Sequence, residues 1–152
     1  MQGKIGLEEH FAIRETLQDS KGFLADATWP ELESRLLDIQ QRRLGEMDRH
    51  GMQMMILSLN APAIQAIADA KRAAEIARRA NDFLAREVAK RPDRFQALAA
   101  LAMQDPDGAT RELSRCVKEL GFRGALVNGF SQIGDPDSMV YLDDKRYAGF
   151  WA

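Results

Sequence analysis

The sequence predicts an α/β fold: four short strands in one parallel sheet, with a helix in each of the three connections. Three observations carry this reading. Continuous apolar runs of strand length recur at residues 54–59, 95–103 and 124–127, the pattern of strands buried on both faces. The segments between them return apolar residues at helical spacing. Start and stop signals then mark most helix ends, so the order reads β-α-β-α-β-α-β.

Residues 4–10 are the first strand candidate, a short apolar stretch (Ile5, Gly6, Leu7) that ends in Glu8-Glu9-His10. A polar segment follows, with Phe11, Gly22, Phe23 and Trp29. At Thr28-Trp29-Pro30-Glu31 the pattern turns helical: Thr28 caps, Pro30 lies in the first turn and Glu31 completes a Thr-x-x-Glu capping box. Leu32, Leu36, Leu37, Leu44 and Met47 continue this as one helix until Gly51 stops it. Residues 54–59 form the second strand, broken by Asn60-Ala61-Pro62. An alanine- and arginine-rich helix occupies about residues 67–90, its apolar side running through Ala73, Ile76, Ala77, Ala80, Phe83, Leu84 and Val88, and Pro92 ends it.

The third strand lies in residues 95–103. Asp105-Pro106-Asp107 reads as cap, proline and acidic first turn of a helix with the stripe Ala109, Leu113, Cys116, Val117, Leu120, ended by Gly121. Residues 124–127 are the fourth strand, closed by Asn128-Gly129. Residues 130–152 fit the alternation poorly. A loop with Gly134 and Pro136 leads to Tyr147, Phe150 and Trp151, and three large aromatics so close to Ala152 predict that a further helix continues beyond it.

A chain of 152 residues with 45% hydrophobic residues suits one domain, residues 1–152, with a real core. A complete (β/α)8 barrel takes about 250 residues, so a barrel here is a partial one. The net charge of −2 excludes a general polyanion binder, and no nucleic-acid partner is expected. Lys71, Arg72, Arg78, Arg79 and Arg86 alternate with Glu75, Asp82 and Glu87 as a solvated helix face. No apolar run approaches the roughly 18 residues of a membrane span. Lone Cys116 excludes an internal disulfide, and no signal segment precedes the first strand, so a cytoplasmic protein is expected. Glycine-rich phosphate loops and a nucleophile elbow are absent.

In α/β folds chemistry gathers at the C-terminal ends of strands. Those positions are Glu8, Glu9 and His10, then Ser58 and Asn60, Met103 and Gln104, and Asn128. Strict alternation puts Glu8 and His10 on one side of the strand and Glu9 on the other. A carboxylate and an imidazole so placed can share a borderline divalent cation such as zinc; the same pair also suits a solvated strand end. His50, beside Gly51, reads as a C-terminal residue complementing the helix dipole. Two histidines do not complete a catalytic zinc site, so a further ligand comes from Asp or Glu or lies outside this chain. Asn60 and Asn128 either reach into a mouth above the sheet or serve as turn residues. Phe23 either covers an aromatic ligand or packs. Cys116 reads as core.

Five stretches together carry a specific resemblance: Gly3-Lys4-Ile5-Gly6-Leu7-Glu8-Glu9-His10-Phe11, Ile56-Leu57-Ser58-Leu59-Asn60-Ala61-Pro62, Arg78-Arg79-Ala80-Asn81-Asp82, Arg91-Pro92-Asp93-Arg94-Phe95 and Gly124-Ala125-Leu126-Val127-Asn128-Gly129-Phe130. The chain resembles the N-terminal part of the gamma-resorcylate (2,6-dihydroxybenzoate) decarboxylases of the amidohydrolase superfamily. The resemblance implies the first four strands of a TIM-like (β/α)8 barrel of the metal-dependent hydrolase type. It implies a non-oxidative decarboxylase converting a small aromatic carboxylate to resorcinol and CO2, with zinc or manganese as cofactor. Glu8 and His10 match its first-strand metal pair, and Phe23 and Asn128 match positions that face the substrate. Its other metal ligands, a histidine and an aspartate, fall beyond Ala152, as do the catalytic proton-handling residues. With its metal site half built, the chain is expected to turn over little alone. Another amidohydrolase-superfamily decarboxylase or hydrolase is the neighbouring alternative. A non-catalytic half-barrel is the distant one, and unpaired sheet edges lead to an expected homo-oligomer.

Overall fold

The computed structural model describes residues 3–18, 21 and 26–152. Strands β1 (Lys4–Phe11), β2 (Met52–Leu59) and β3 (Phe95–Ala97) form a parallel sheet in the order β1-β2-β3. Helix α3 (Ala70–Lys90) makes the crossover from β2 to β3, and Asp69 caps its start by accepting a hydrogen bond from the Arg72 amide. The predicted stripe is the buried one: Ala73, Ile76, Ala77, Ala80 and Leu84 face a core with Leu57, Leu59 and Phe95. Small alanines on this side let the helix approach the sheet closely, and Leu57, Leu84 and Phe95 are completely buried between them. Helix α4 (Pro106–Lys118) starts as predicted, with the Asp105 carboxylate accepting from the Gly108 amide. It ends at Gly121, whose φ of +74° is the left-handed turn that glycine takes without strain.

The single helix expected over residues 28–50 is two. Helix α1 (Trp29–Leu37) and helix α2 (Arg42–Arg49) are separated at Asp38, whose carboxylate accepts from the amides of Gln41 (2.8 Å) and Arg42 (2.7 Å). These two bonds hold the break open, and the two pieces bury different faces. Trp29 and Leu36 join a small cluster with Ala12 and Leu17, whereas Met47 enters the main core. The predicted capping box does not form, because Glu31 commits its carboxylate to Arg35 and Arg42. His50 is the C-cap of α2, its Nε2 3.4 Å from Glu46, in keeping with a structural role.

The expected fourth strand does not form a ladder, so the described sheet has three parallel strands and not four. Residues 124–127 run beside the chain leaving β3 through one parallel bridge, Ala99 with Ala125. The Ala99 amide donates to Gly124 O (2.8 Å) and the Leu126 amide to Ala99 O (3.2 Å). Gly124, at φ +151°, and the irregular buried stretch after Ala97 interrupt the regular pleat on both sides. Residues 130–141, read as loop, are an antiparallel hairpin of β4 (Phe130–Ile133) and β5 (Asp135–Tyr141) turned at Gly134, φ +72°. Beyond it, helix α5 (Ala148–Trp151) brings Phe150 against the core, and Tyr147 is fully buried just before it. No helix among the described residues is long and apolar enough to cross a membrane.

Candidate functional site

β1 carries the acidic residues and the histidine, and its pairing is irregular where they begin. Gly6 pairs with Met55 but Glu9 pairs with Leu57, so β1 holds one more residue than β2 between those rungs. Such a bulge breaks strict alternation and re-aims side chains. Its result is concrete. Glu9 folds back over Gly6, with Oε1 2.5 Å from where a Cβ on residue 6 would stand, and a side chain there would displace it. Glu9 lines a cleft together with Arg43 of α2: burial lowers the Arg43 guanidinium, and the carboxylates of Glu9 and Asp38 oppose that shift only in part.

His10 follows the bulge and pairs with Ser58 at the end of β2. Its Nδ1 lies 3.0 Å from Ser58 Oγ, and Ser58 is completely buried. Its backbone carbonyl accepts a hydrogen bond from Arg43 Nη2 at 2.5 Å. The imidazole is therefore held through one nitrogen, and no hydrogen bond to its Nε2 is found among the described residues. Glu8, within the bulge, is exposed and makes no hydrogen bond or ion pair among the described residues. A carboxylate and an imidazole nitrogen are ordinary donors for a divalent cation, and a ligating histidine held at its other nitrogen is the arrangement such sites use. No group of three His, Cys, Asp or Glu residues that could hold a metal ion gathers among the described residues.

The other strand ends are held by polar side chains acting at long range. Thr16 and Asn60 bind reciprocally: Thr16 Oγ1 donates to Asn60 Oδ1 (2.9 Å), and Asn60 Nδ2 donates to Thr16 O (2.8 Å). Asn128 Nδ2 donates to Pro62 O at 3.2 Å, and Asn128 helps line a narrow hollow with Leu59, Asn60, Gln65 and Leu126. Phe23 lies outside the described residues. A larger cleft of about 480 Å3 opens between β1 and helices α1 and α2, lined by Glu9, Leu32, Leu36, Arg43 and Met55. In the sequence Ser58 stands out only as a strand end and Arg43 not at all; a hydroxyl inside the apolar run of residues 54–59 is the available signal for the first.

A family model described as Amidohydrolase matches residues 23–152. The chain belongs to the amidohydrolase family. Within it, the chain is 66% identical over 151 residues to the gamma-resorcylate decarboxylase of Rhizobium radiobacter, covering 99% of this chain and 46% of that protein. A crystal structure of a dihydroxybenzoic acid decarboxylase from Polaromonas sp., with bound manganese and the inhibitor 2-nitroresorcinol, superposes with a TM-score of 0.96 at 66% identity, covering 99% of this chain and 46% of that one. A 2,6-dihydroxybenzoate decarboxylase complexed with 2,6-dihydroxybenzoate gives a TM-score of 0.97 at 66% identity, covering 99% and 47%. This amidohydrolase chain spans about half the length of the relatives it matches.

Proposed function

We propose that this chain supplies part of the active site of a divalent-metal-dependent, non-oxidative decarboxylase that converts 2,6-dihydroxybenzoate to resorcinol and CO2. The observation that carries the reading is the match of 66% identity along 99% of the chain to a manganese-bound dihydroxybenzoic acid decarboxylase. Its support in the fold is that His10 is held through Nδ1 at a strand end, two positions along the chain from the exposed Glu8. Glu8 and His10 hold the metal, manganese by analogy with that relative or zinc by donor chemistry. When bound, the ion acts as Lewis acid and template for the carboxylate and its neighbouring phenolic oxygen. Asn128 and Phe23 face the ring of the substrate. The three-stranded sheet is part of a (β/α)8 barrel whose remaining strands bring the other ligands and the group that protonates the ring. The chain works in the cytoplasm, as part of a homo-oligomer.

A chimera tests this. Residues 1–152 replace the matching segment of the Polaromonas relative, and manganese content and resorcinol formation are measured. The expected result is one bound metal and steady turnover, with Glu8→Ala and His10→Ala each losing metal and activity, and little turnover by the 152-residue chain alone. A folded chimera that makes no resorcinol, or whose turnover survives His10→Ala, overturns the reading.

A second reading, a non-catalytic half-barrel that self-associates, draws on one observation: Ile5 is 55% and Leu7 is 67% exposed on β1, at the edge of the described sheet. It predicts a concentration-dependent dimer in sedimentation that Leu7→Lys dissolves and a chimera without activity.

A further inference from the structure

We infer that Ser58 is a positioning residue, which fixes His10 in the tautomer that keeps its proton on Nδ1 and turns the lone pair of Nε2 outward. The inference rests on the reading of His10 as a metal ligand and deepens it. Ser58 occupies the rung opposite His10, and its hydroxyl is 3.0 Å from Nδ1. It is also the one hydroxyl in the run Met54-Met55-Ile56-Leu57-Ser58-Leu59, and it is wholly buried. A buried hydroxyl on an apolar strand costs free energy unless it is bonded, so its place opposite the imidazole is specific. The ring has one proton when neutral, and a hydroxyl can either donate or accept. A nitrogen that binds a cation must be unprotonated, which places the proton on Nδ1 and makes Ser58 Oγ the acceptor.

The backbone is held from the other side. Phe11 O accepts from the Asn60 amide on the β2 side, and alternation turns the preceding carbonyl, that of His10, to the opposite edge, where Arg43 takes it. With the backbone anchored by Arg43 and Nδ1 by Ser58, the ring has little freedom left. Ser58 never reaches the metal; it acts through His10.

Two measurements on the chimera carrying residues 1–152 test this separately. In the first, the metal-free chimera carrying 15N-labelled histidine is studied by NMR at pH 8 in the wild type, Ser58→Ala and Ser58→Thr. The expected spectrum shows the Nδ1–H form of His10 in the wild type and in Ser58→Thr. In Ser58→Ala it reverts to the Nε2–H form that free imidazole prefers, while His50, 66% exposed in its side chain, is unchanged in all three. An Nε2–H form in the wild type, or no change in Ser58→Ala, overturns the inference. In the second, Mn2+ is titrated and the broadening of the His10 ring signals is followed. Ser58→Ala is expected to need 10–100-fold more Mn2+, on the order of second-shell losses elsewhere. Absence of broadening in the wild type removes the metal from His10 and overturns the functional reading, while the tautomer result still decides the role of Ser58.

Discussion

Gln65 brackets the backbone of Asn128. Its Oε1 accepts from the Asn128 amide at 2.5 Å, and its Nε2 donates to the Asn128 carbonyl at 3.0 Å, across 63 residues of sequence. The same nitrogen also reaches Phe130 O (2.8 Å) and Ser131 Oγ (3.0 Å). One side chain from the turn after β2 thus supplies what a strand neighbour would supply, at the place where the expected fourth strand gives up its ladder. It holds Asn128 at the mouth of the sheet.

Gln65→Ala is therefore expected to be costly. Gln65 is 5% exposed, so its loss leaves the Asn128 amide and several oxygens without their partner in a nearly closed site. At about 1–3 kcal/mol for a buried group left unsatisfied, a loss of about 2–4 kcal/mol is expected. Urea unfolding of wild type and variant checks it: the midpoint should fall with the slope unchanged. Gln65→Glu, which keeps the size but loses the donor, should fall nearly as far, and a loss below about 0.5 kcal/mol in both contradicts the role.

Asp38 accepts from the amides of Gln41 and Arg42, the N-cap and first residue of α2, so Asp38→Ala should cost about 1 kcal/mol, on the scale of a side-chain acceptor at a helix start, and Asp38→Asn much less. Thermal unfolding with circular dichroism distinguishes the two. Equal losses for Ala and Asn would mean that the charge toward Arg42 and Arg43, and not the cap, is what matters at this position.

These two sites mark what a sequence discloses and what it hides. Helices α3 and α4 were legible because their stripes are strong and their caps, Pro92, Asp105 and Gly121, are local. The break at Asp38 was not, since Leu36, Leu44 and Met47 keep a helical period across it and mimic one continuous helix. The apolar run of residues 124–127 cannot announce whether it forms a ladder or one bridge; that depends on Ala99, 26 positions from its partner. The hairpin of β4 and β5 is rich in Asp, Ser and Pro, the composition of a loop. At the candidate site, Glu8 and His10 were visible as a motif, but the bulge that displaces Glu9 onto Gly6 is a matter of register with β2. Ser58 and Gln65 act across 48 and up to 66 residues, beyond any local pattern.

Glu112 gives the fold a defined acid sensitivity. Burial by itself would raise its carboxyl, but hydrogen bonds from Arg115 (2.7 and 2.9 Å) and Asn81 (2.9 Å) outweigh it and hold the group below its ordinary value of 4.5. A folded-state value below the unfolded one means that the unfolded chain takes up the proton first. The stabilisation is therefore complete above about pH 4.5 and is lost as pH falls through the lower, folded value. Glu112→Gln should be less stable than the wild type at pH 7, and the gap should narrow progressively as pH falls below about 4.5. Urea titrations at pH 7, 5, 4 and 3 check this; a gap that stays constant with pH would show that packing, and not charge, sets the contribution of Glu112.

The same cluster governs the single thiol. Cys116 is completely buried on α4, and burial first, then the charge of Glu112, pushes its thiol up to about 12. Only the thiolate attacks an alkylating reagent, and here it is both rare and enclosed, so reaction must wait for α4 to open. Iodoacetamide at pH 8 should leave the native chain unmodified by mass spectrometry over an hour and modify it fully in 8 M urea. At intermediate urea the labelling rate should track the unfolded fraction and not the bulk thiolate fraction. Rapid labelling in buffer alone, at a rate that rises tenfold per pH unit without any change in helix content, would mean that Cys116 is reached by a local motion the packing around Glu112 does not suggest.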